Sequence, residues 1–107
     1  MSTEELKMAS FVLVVDNEAI QQLTLNDGRI MIGRSNKAEI RIADETVSAR
    51  HAVIDGVRNE ENGDIEYFIQ DLSSANGTYV SGRRVRRKRL KDGDIVKVGW
   101  NTFKFLG

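Results

Sequence analysis

Asp71-Leu72-Ser73-Ser74-Ala75-Asn76-Gly77-Thr78 separates two apolar alternating runs, Ile65-Glu66-Tyr67-Phe68-Ile69 before it and Tyr79-Val80 after it. A period of two sends successive side chains to opposite faces of an extended chain, so the flanking runs read as strands and the polar stretch between them as a loop. Loops carried by a rigid sheet are where binding residues concentrate. Two further polar segments hold comparable positions: Ile32-Gly33-Arg34-Ser35 closes one alternating run, and Val47-Ser48-Ala49-Arg50-His51-Ala52 leads into another.

The same period continues outward in both directions. Phe11, Leu13 and Val15 alternate with Val12 and Val14, and Ile20, Leu23 and Leu25 precede Asp27-Gly28, after which Ile30 and Ile32 continue; that pattern predicts a hairpin turning at Asp27-Gly28. Short strands are expected around Ile40 and Ile42 and around Val53 and Ile54. Beyond Val80 come a Ser81-Gly82 turn, Val85, a polar stretch to Leu90, an Asp92-Gly93 turn, Ile95-Val96-Lys97-Val98 and Phe103-Lys104-Phe105-Leu106. About eleven short strands jointed by Gly, Asn and Asp, with no sustained helical spacing, predict an all-β antiparallel sandwich. The chain has nine Gly and no Pro, so its turns must rely on residues that accept positive φ. Residues 57–64 read as a polar acidic loop. Met1 to Met8 fit no strand. Ser2 and Glu5 have capping-box spacing, but the stretch reads as a frayed tail, giving a tail over 1–9 and a domain over 10–107. Within that tail, Thr3 followed by Glu4 and Glu5 offers an acidic context that some kinases accept.

Composition bounds the function. At 107 residues with 40% apolar content there is material for one core and none for a second domain. Sixteen basic residues balance sixteen acidic ones, so no net field draws the molecule to nucleic acid or to an anionic membrane. The absence of Cys removes thiolate nucleophiles and Cys zinc sites, and His51, the single histidine, cannot build a metal cluster. No cofactor or metal is expected. The longest apolar run, Phe11 to Val15, is far short of the roughly 20 residues that span a bilayer. A cytoplasmic protein without membrane contact is expected.

In order and spacing, Gly33-Arg34, then Ser48-Ala49-Arg50-His51-Ala52, then Asp71-Leu72 with Asn76-Gly77-Thr78 resemble the signature of the forkhead-associated (FHA) domain. The closing Leu90-Lys91-Asp92-Gly93-Asp94 is similar to that family's final stretch, and the likeness spans about Phe11 to Gly107. The resemblance implies a β-sandwich that reads phosphothreonine in partner proteins written by an upstream Ser/Thr kinase, with no catalysis. It implies Arg34 and Ser48 as phosphate ligands, Asn76 as the grip on the peptide main chain, and Gly33, His51 and Gly77 as residues holding the loops in shape. Two positions depart from the family pattern. The residue after the motif serine is commonly Arg, Lys or Asn and is Ala49 here; the residue before the motif asparagine is commonly Thr and is Ala75 here. Ser35, Arg50 and Ser74 are the neighbouring residues that would supply further phosphate contacts.

The chemistry of these residues agrees with such a role. A phosphothreonine carries a charge near minus two and three acceptor oxygens, which suit an arginine fork, a hydroxyl and backbone N–H groups on converging loops. An Asn amide both donates to and accepts from an extended main chain, holding it without demanding a sequence. Taken singly, each residue has a plainer reading: Arg34 as a solvated edge charge, Ser48 as a capping hydroxyl, Asn76-Gly77 as a turn, His51 as a structural histidine. Their joint order favours the binding site. With Ala49 and Ala75 in place, the alternative is a module of the same fold that binds a protein partner independently of phosphate.

Two other features bear on function. Arg83 to Lys91 holds seven basic residues in nine, which reads as a solvated hairpin with Asp92 and Asp94 as counterions, or else as a patch for an acidic flank of the ligand. No aromatic residue interleaves with it, as a base-stacking surface would require. Ser48, His51 and Asp71 are the residue types of a hydrolytic triad, but Ser48 lacks a nucleophile-elbow context and His51 lies three residues from it. Catalysis is not expected.

Overall fold

The computed structural model describes residues 9–107; the readings made for Met1 to Met8, including the Ser2–Glu5 cap and Thr3, lie outside them. Eleven strands follow in order: β1 (Ala9–Val15), β2 (Glu18–Leu25), β3 (Gly28–Gly33), β4 (Ile40–Arg41), β5 (Ala52–Arg58), β6 (Ile65–Asp71), β7 (Thr78–Val80), β8 (Arg83–Val85), β9 (Arg87–Arg89), β10 (Ile95–Val98) and β11 (Asn101–Leu106). They form a six-stranded sheet in the order β2-β1-β11-β10-β7-β8 and a five-stranded sheet in the order β4-β3-β5-β6-β9. The β-sandwich read from the alternation is therefore the fold. One pair departs from an antiparallel scheme: β3 and β4 run parallel, with Ile32 opposite Ile40.

Both inner faces carry the apolar members of the alternating runs. Phe11, Phe103, Val96, Val98 and Leu25 of the six-stranded sheet meet Ile32, Ile54 and Ile69 of the other, all at most 1% exposed. Phe11 stacks on Phe103 with centroids 4.5 Å apart. Burying each such side chain contributes about 1.5–3 kcal/mol, which adds to the backbone ladder that pairs β1 with β11. Tyr67 packs against Phe105 and spends its hydroxyl on the Leu25 carbonyl at 2.9 Å, a bond that fastens the two sheets together.

Two predicted hairpins are absent. Asp27-Gly28 joins β2 of one sheet to β3 of the other, and β3 pairs with β5. The first hairpin instead turns at Asp16 and Asn17, both at positive φ, joining β1 to β2. Likewise Arg83 to Lys91 is no hairpin, because β8 edges one sheet and β9 edges the other. Alternation identifies a strand and its inward face but not its neighbour, which is chosen by packing between the sheets. The Ser81-Gly82 turn does close a hairpin, between β7 and β8, with both residues at positive φ.

Candidate functional site

Three connections converge at one end of the sandwich: the β3–β4 loop with Arg34 and Ser35, the β4–β5 loop with Thr46 to Arg50, and the β6–β7 loop with Leu72 to Gly77. The first two are zipped by backbone bonds, from Arg34 N–H to the Ser48 carbonyl (3.0 Å) and from Ser35 N–H to the Ala49 carbonyl (3.1 Å). Gly33 makes this zip possible. A Cβ there would run into the Ala49 carbonyl, with its carbon only 2.9 Å away, so any other residue must push the β4–β5 loop outward.

His51 ties in the third loop. It is fully buried, and its Nδ1 accepts the Ser48 N–H at 3.1 Å while Nε2 lies 2.8 Å from the Gly77 carbonyl. A backbone N–H can only donate and a carbonyl only accept, so Nε2 carries the proton and donates to Gly77. Backbone bonds from His51 N–H to Ile32 and from Leu72 N–H to the His51 carbonyl continue the link on both sides. The ring thus ties the β4–β5 loop to the β6–β7 loop, and backbone bonds join the β3–β4 loop to the β4–β5 loop.

The β6–β7 loop is held from beneath by Asp71. Its carboxylate accepts from the Ser74 N–H (3.1 Å), the Ser74 hydroxyl and the Thr78 hydroxyl (2.7 Å), and the Ser74 oxygen in turn accepts the Gly77 N–H at 2.9 Å. Burial alone would raise the Asp71 carboxyl, but the bonds from the Ser74 and Thr78 hydroxyls and the Ser74 N–H outweigh it and hold it below the ordinary carboxylate value. Ser74 is accordingly buried and committed to the loop. Its proposed phosphate contact is not supported, because the hydroxyl turns inward to replace a buried backbone partner.

At the tip, the side chains that remain available are few. Arg34 is exposed; its Nε donates to the Val47 carbonyl (3.0 Å), while its two terminal nitrogens have no protein partner among the described residues. Ser48 accepts the Ala75 N–H through its hydroxyl oxygen at 3.0 Å, which leaves the hydroxyl proton to donate. The Asn76 amide nitrogen donates to the Thr46 carbonyl at 2.9 Å, so its oxygen is left to accept. Ser35 uses its oxygen to accept the Lys37 N–H (3.1 Å), and Arg50 is exposed without a side-chain bond among the described residues. Ala49 and Ala75 are exposed at the same tip and contribute backbone only.

Reading the sequence missed three contributors. Arg41 Nε donates to the Arg34 carbonyl at 3.3 Å, adding a second cation beside Arg34. Thr46 accepts from Asn76 through its carbonyl and from Trp100 N–H through its hydroxyl (3.1 Å), bringing the β10–β11 turn to the site. Trp100 itself is 85% exposed. Neither Thr46 nor Trp100 falls in a motif, although an isolated Trp in a turn was a signal. The triad residue types do come close, but no relay forms: both ring nitrogens of His51 serve backbone groups, and Asp71 serves Ser74 and Thr78.

A two-sheet sandwich whose tip presents an arginine, a hydroxyl and an amide on mutually bonded loops defines the class: a β-sandwich interaction module. Residues 30–99 match the model of the FHA domain. The chain belongs to the FHA domain family. It is 33% identical over 90 residues to the FHA domain-containing protein FhaA of Mycobacterium tuberculosis, a match covering 84% of this chain and 16% of that protein. Among solved structures, it superposes with a TM-score of 0.81 and 28% identity on a chain from an analysis of phosphothreonine-dependent FHA domain interactions, covering 94% of this chain and 97% of that one. It also superposes with a TM-score of 0.77 and 29% identity on the FhaA FHA domain complexed with the intracellular domain of Rv3910, covering 91% and 98%.

Proposed function

We propose that this FHA domain binds phosphothreonine peptides through Arg34, Ser48 and Asn76, with Ser35 and Arg50 as flanking contacts and Gly33, His51 and Gly77 as the residues that fix the loops. The observation that carries the reading is the set of unspent groups at one tip: the Arg34 terminal nitrogens, the Ser48 hydroxyl proton and the Asn76 amide oxygen, on loops already bonded to one another. Such a site is preorganised, so little ordering cost offsets the charge-assisted bonds to phosphate. The partner is a protein phosphorylated on threonine by a Ser/Thr kinase, met in the cytoplasm, and the domain acts by binding without catalysis or cofactor. The domain spans residues 9–107; β1 starts at Ala9, one residue before the start read from the sequence.

Ala49 and Ala75 support a second reading, in which the tip binds a protein without phosphate, since both expose a methyl where the family commonly has a polar side chain. Calorimetric titration of one peptide in phosphothreonine, phosphoserine and unmodified forms separates the two. Binding of the phosphothreonine form alone supports the first; equal binding of all three establishes the second.

A further inference from the structure

The basic run is continuous in sequence, yet the fold splits it. β8 and β9 are the edge strands of different sheets, so Arg83 to Lys91 crosses from one sheet to the other along one side of the sandwich. Charged edges of this kind resist pairing with another chain, which accounts for cations there in general. It does not account for where each one points. Arg87 lies over the Phe68 ring at 4.3 Å and Arg89 reaches Glu66 at 3.5 Å, both beside β6 of the five-stranded sheet. Asp92 and Asp94 are not counterions to the run: Asp92 accepts the Gly107 N–H, and Asp94 accepts the Lys91 N–H and the Ser81 hydroxyl.

Arg84 differs from the others. It sits opposite Tyr79 in the register of β7 and β8, and its side chain lies against Gly77: a Cβ at Gly77 would be 2.7 Å from Arg84 Nε and 3.1 Å from Cζ. Gly77 therefore meets two demands, a φ of +86° and an empty side-chain position that the guanidinium occupies. Among the described residues Arg84 has neither an ion pair nor a side-chain hydrogen bond, although Gly77, the residue it lies against, directly follows Asn76 in the chain. A cation has been brought onto the recognition loop and left without a carboxylate.

We infer that Arg84 is a specificity-determining residue that selects ligands carrying an acidic side chain close to the phosphothreonine. The inference rests on the phosphothreonine reading of the tip. A guanidinium presents a planar fork to a carboxylate, and its seat on the Gly77 backbone reduces the freedom lost when the pair forms. Because the pair is exposed to solvent, its effect is modest and sensitive to salt.

The test measures affinity for two phosphothreonine peptides of the same sequence, one with Glu and one with Gln at the positions flanking the phosphothreonine. The wild-type domain is expected to prefer the Glu peptide about two- to fivefold at low salt, with the preference shrinking at high salt. The readout is the ratio of the two affinities, so a general loss of binding does not count. Arg84→Gln is expected to bring the ratio to one, and Arg87→Gln with Arg89→Gln to leave it as in the wild type. A wild-type ratio of one, a ratio that survives Arg84→Gln, or one lost equally in the Arg87/Arg89 variant overturns the inference while the Gln phosphopeptide still binds. If neither peptide binds in a phosphate-dependent way, the reading of the tip falls and the inference with it.

Discussion

His51 Nε2 donates to the Gly77 carbonyl at 2.8 Å from a fully buried ring, and that bond joins the loop bearing Ser48 to the loop bearing Asn76. The histidine therefore touches no ligand in the proposed reading, yet it sets the spacing between the phosphate contact and the main-chain grip. His51→Ala leaves the Ser48 N–H and the Gly77 carbonyl without their partner and opens a cavity, at a cost of about 2–4 kcal/mol. A lowered midpoint in urea, accompanied by weakened phosphopeptide binding, is the expected result; unchanged affinity in a folded variant would show that the loops do not need this tie.

Arg34 tests the phosphate contact most directly. Arg34→Ala removes two terminal nitrogens with their four unspent N–H donors from an exposed position, so affinity should fall by about tenfold to a hundredfold or more, given 1.5–3 kcal/mol for a charge-assisted bond. The melting temperature should move little, since the structural part of Arg34 is one bond to the Val47 carbonyl. Calorimetry on the variant decides the point, and retained affinity sinks the assignment of Arg34.

Ala75 lies beside Asn76 with its N–H already fixed to the Ser48 hydroxyl oxygen at 3.0 Å. Placing Thr there restores a hydroxyl at the tip, and Ala75→Thr should tighten phosphopeptide binding up to about tenfold if the new bond is well aligned. A flat affinity would mean that the alanine costs the site nothing.

Gly33 carries the zip between the first two loops. Gly33→Ala must displace the Ala49 backbone, and Arg34 and Ser48 flank that contact, so phosphopeptide affinity should drop more than stability does. Amide chemical shifts confined to the β3–β4 and β4–β5 loops would report the displacement, whereas shifts spread across the core would argue against it.

Asp71 gives the fold a pH dependence of known sign. Its folded carboxyl lies below the ordinary value, so the stability it contributes is fully present above the unfolded pKa, about 3.9, and is lost as the pH falls through the lower folded value. Asp71→Asn should be less stable at neutral pH and lose less than the wild type on acidification below about pH 4. Urea midpoints measured across that window check the prediction; parallel curves for the two proteins would assign the acid sensitivity to other carboxylates.

The local sequence was enough to determine the sandwich and to mark the polar loops that its strands carry. Alternation such as Ile65, Tyr67, Ile69 encodes a strand and its buried face, whereas Gly33-Arg34, Ser48 with His51, and Asn76-Gly77 stood out only through their joint order, which resembles the FHA signature; singly each reads as an edge charge, a cap or a turn. Tertiary structure alone decided which strands are neighbours and which polar groups are spent. Asp27-Gly28 looks like a hairpin turn but crosses between sheets, because β3 finds its partner in β5, and long-range packing carries no local signature. Ser74 and Ser48 are alike in sequence, yet one hydroxyl donates to Asp71 while the other accepts the Ala75 N–H and leaves its proton without a partner among the described residues. Arg84 and Arg87 stand three residues apart in one basic run, and only the switch from one sheet to the other sets Arg84 against Gly77 and Arg87 over Phe68. Hydrogen-bond and charge partners are settled by distances across the fold, which spacing along the chain does not encode.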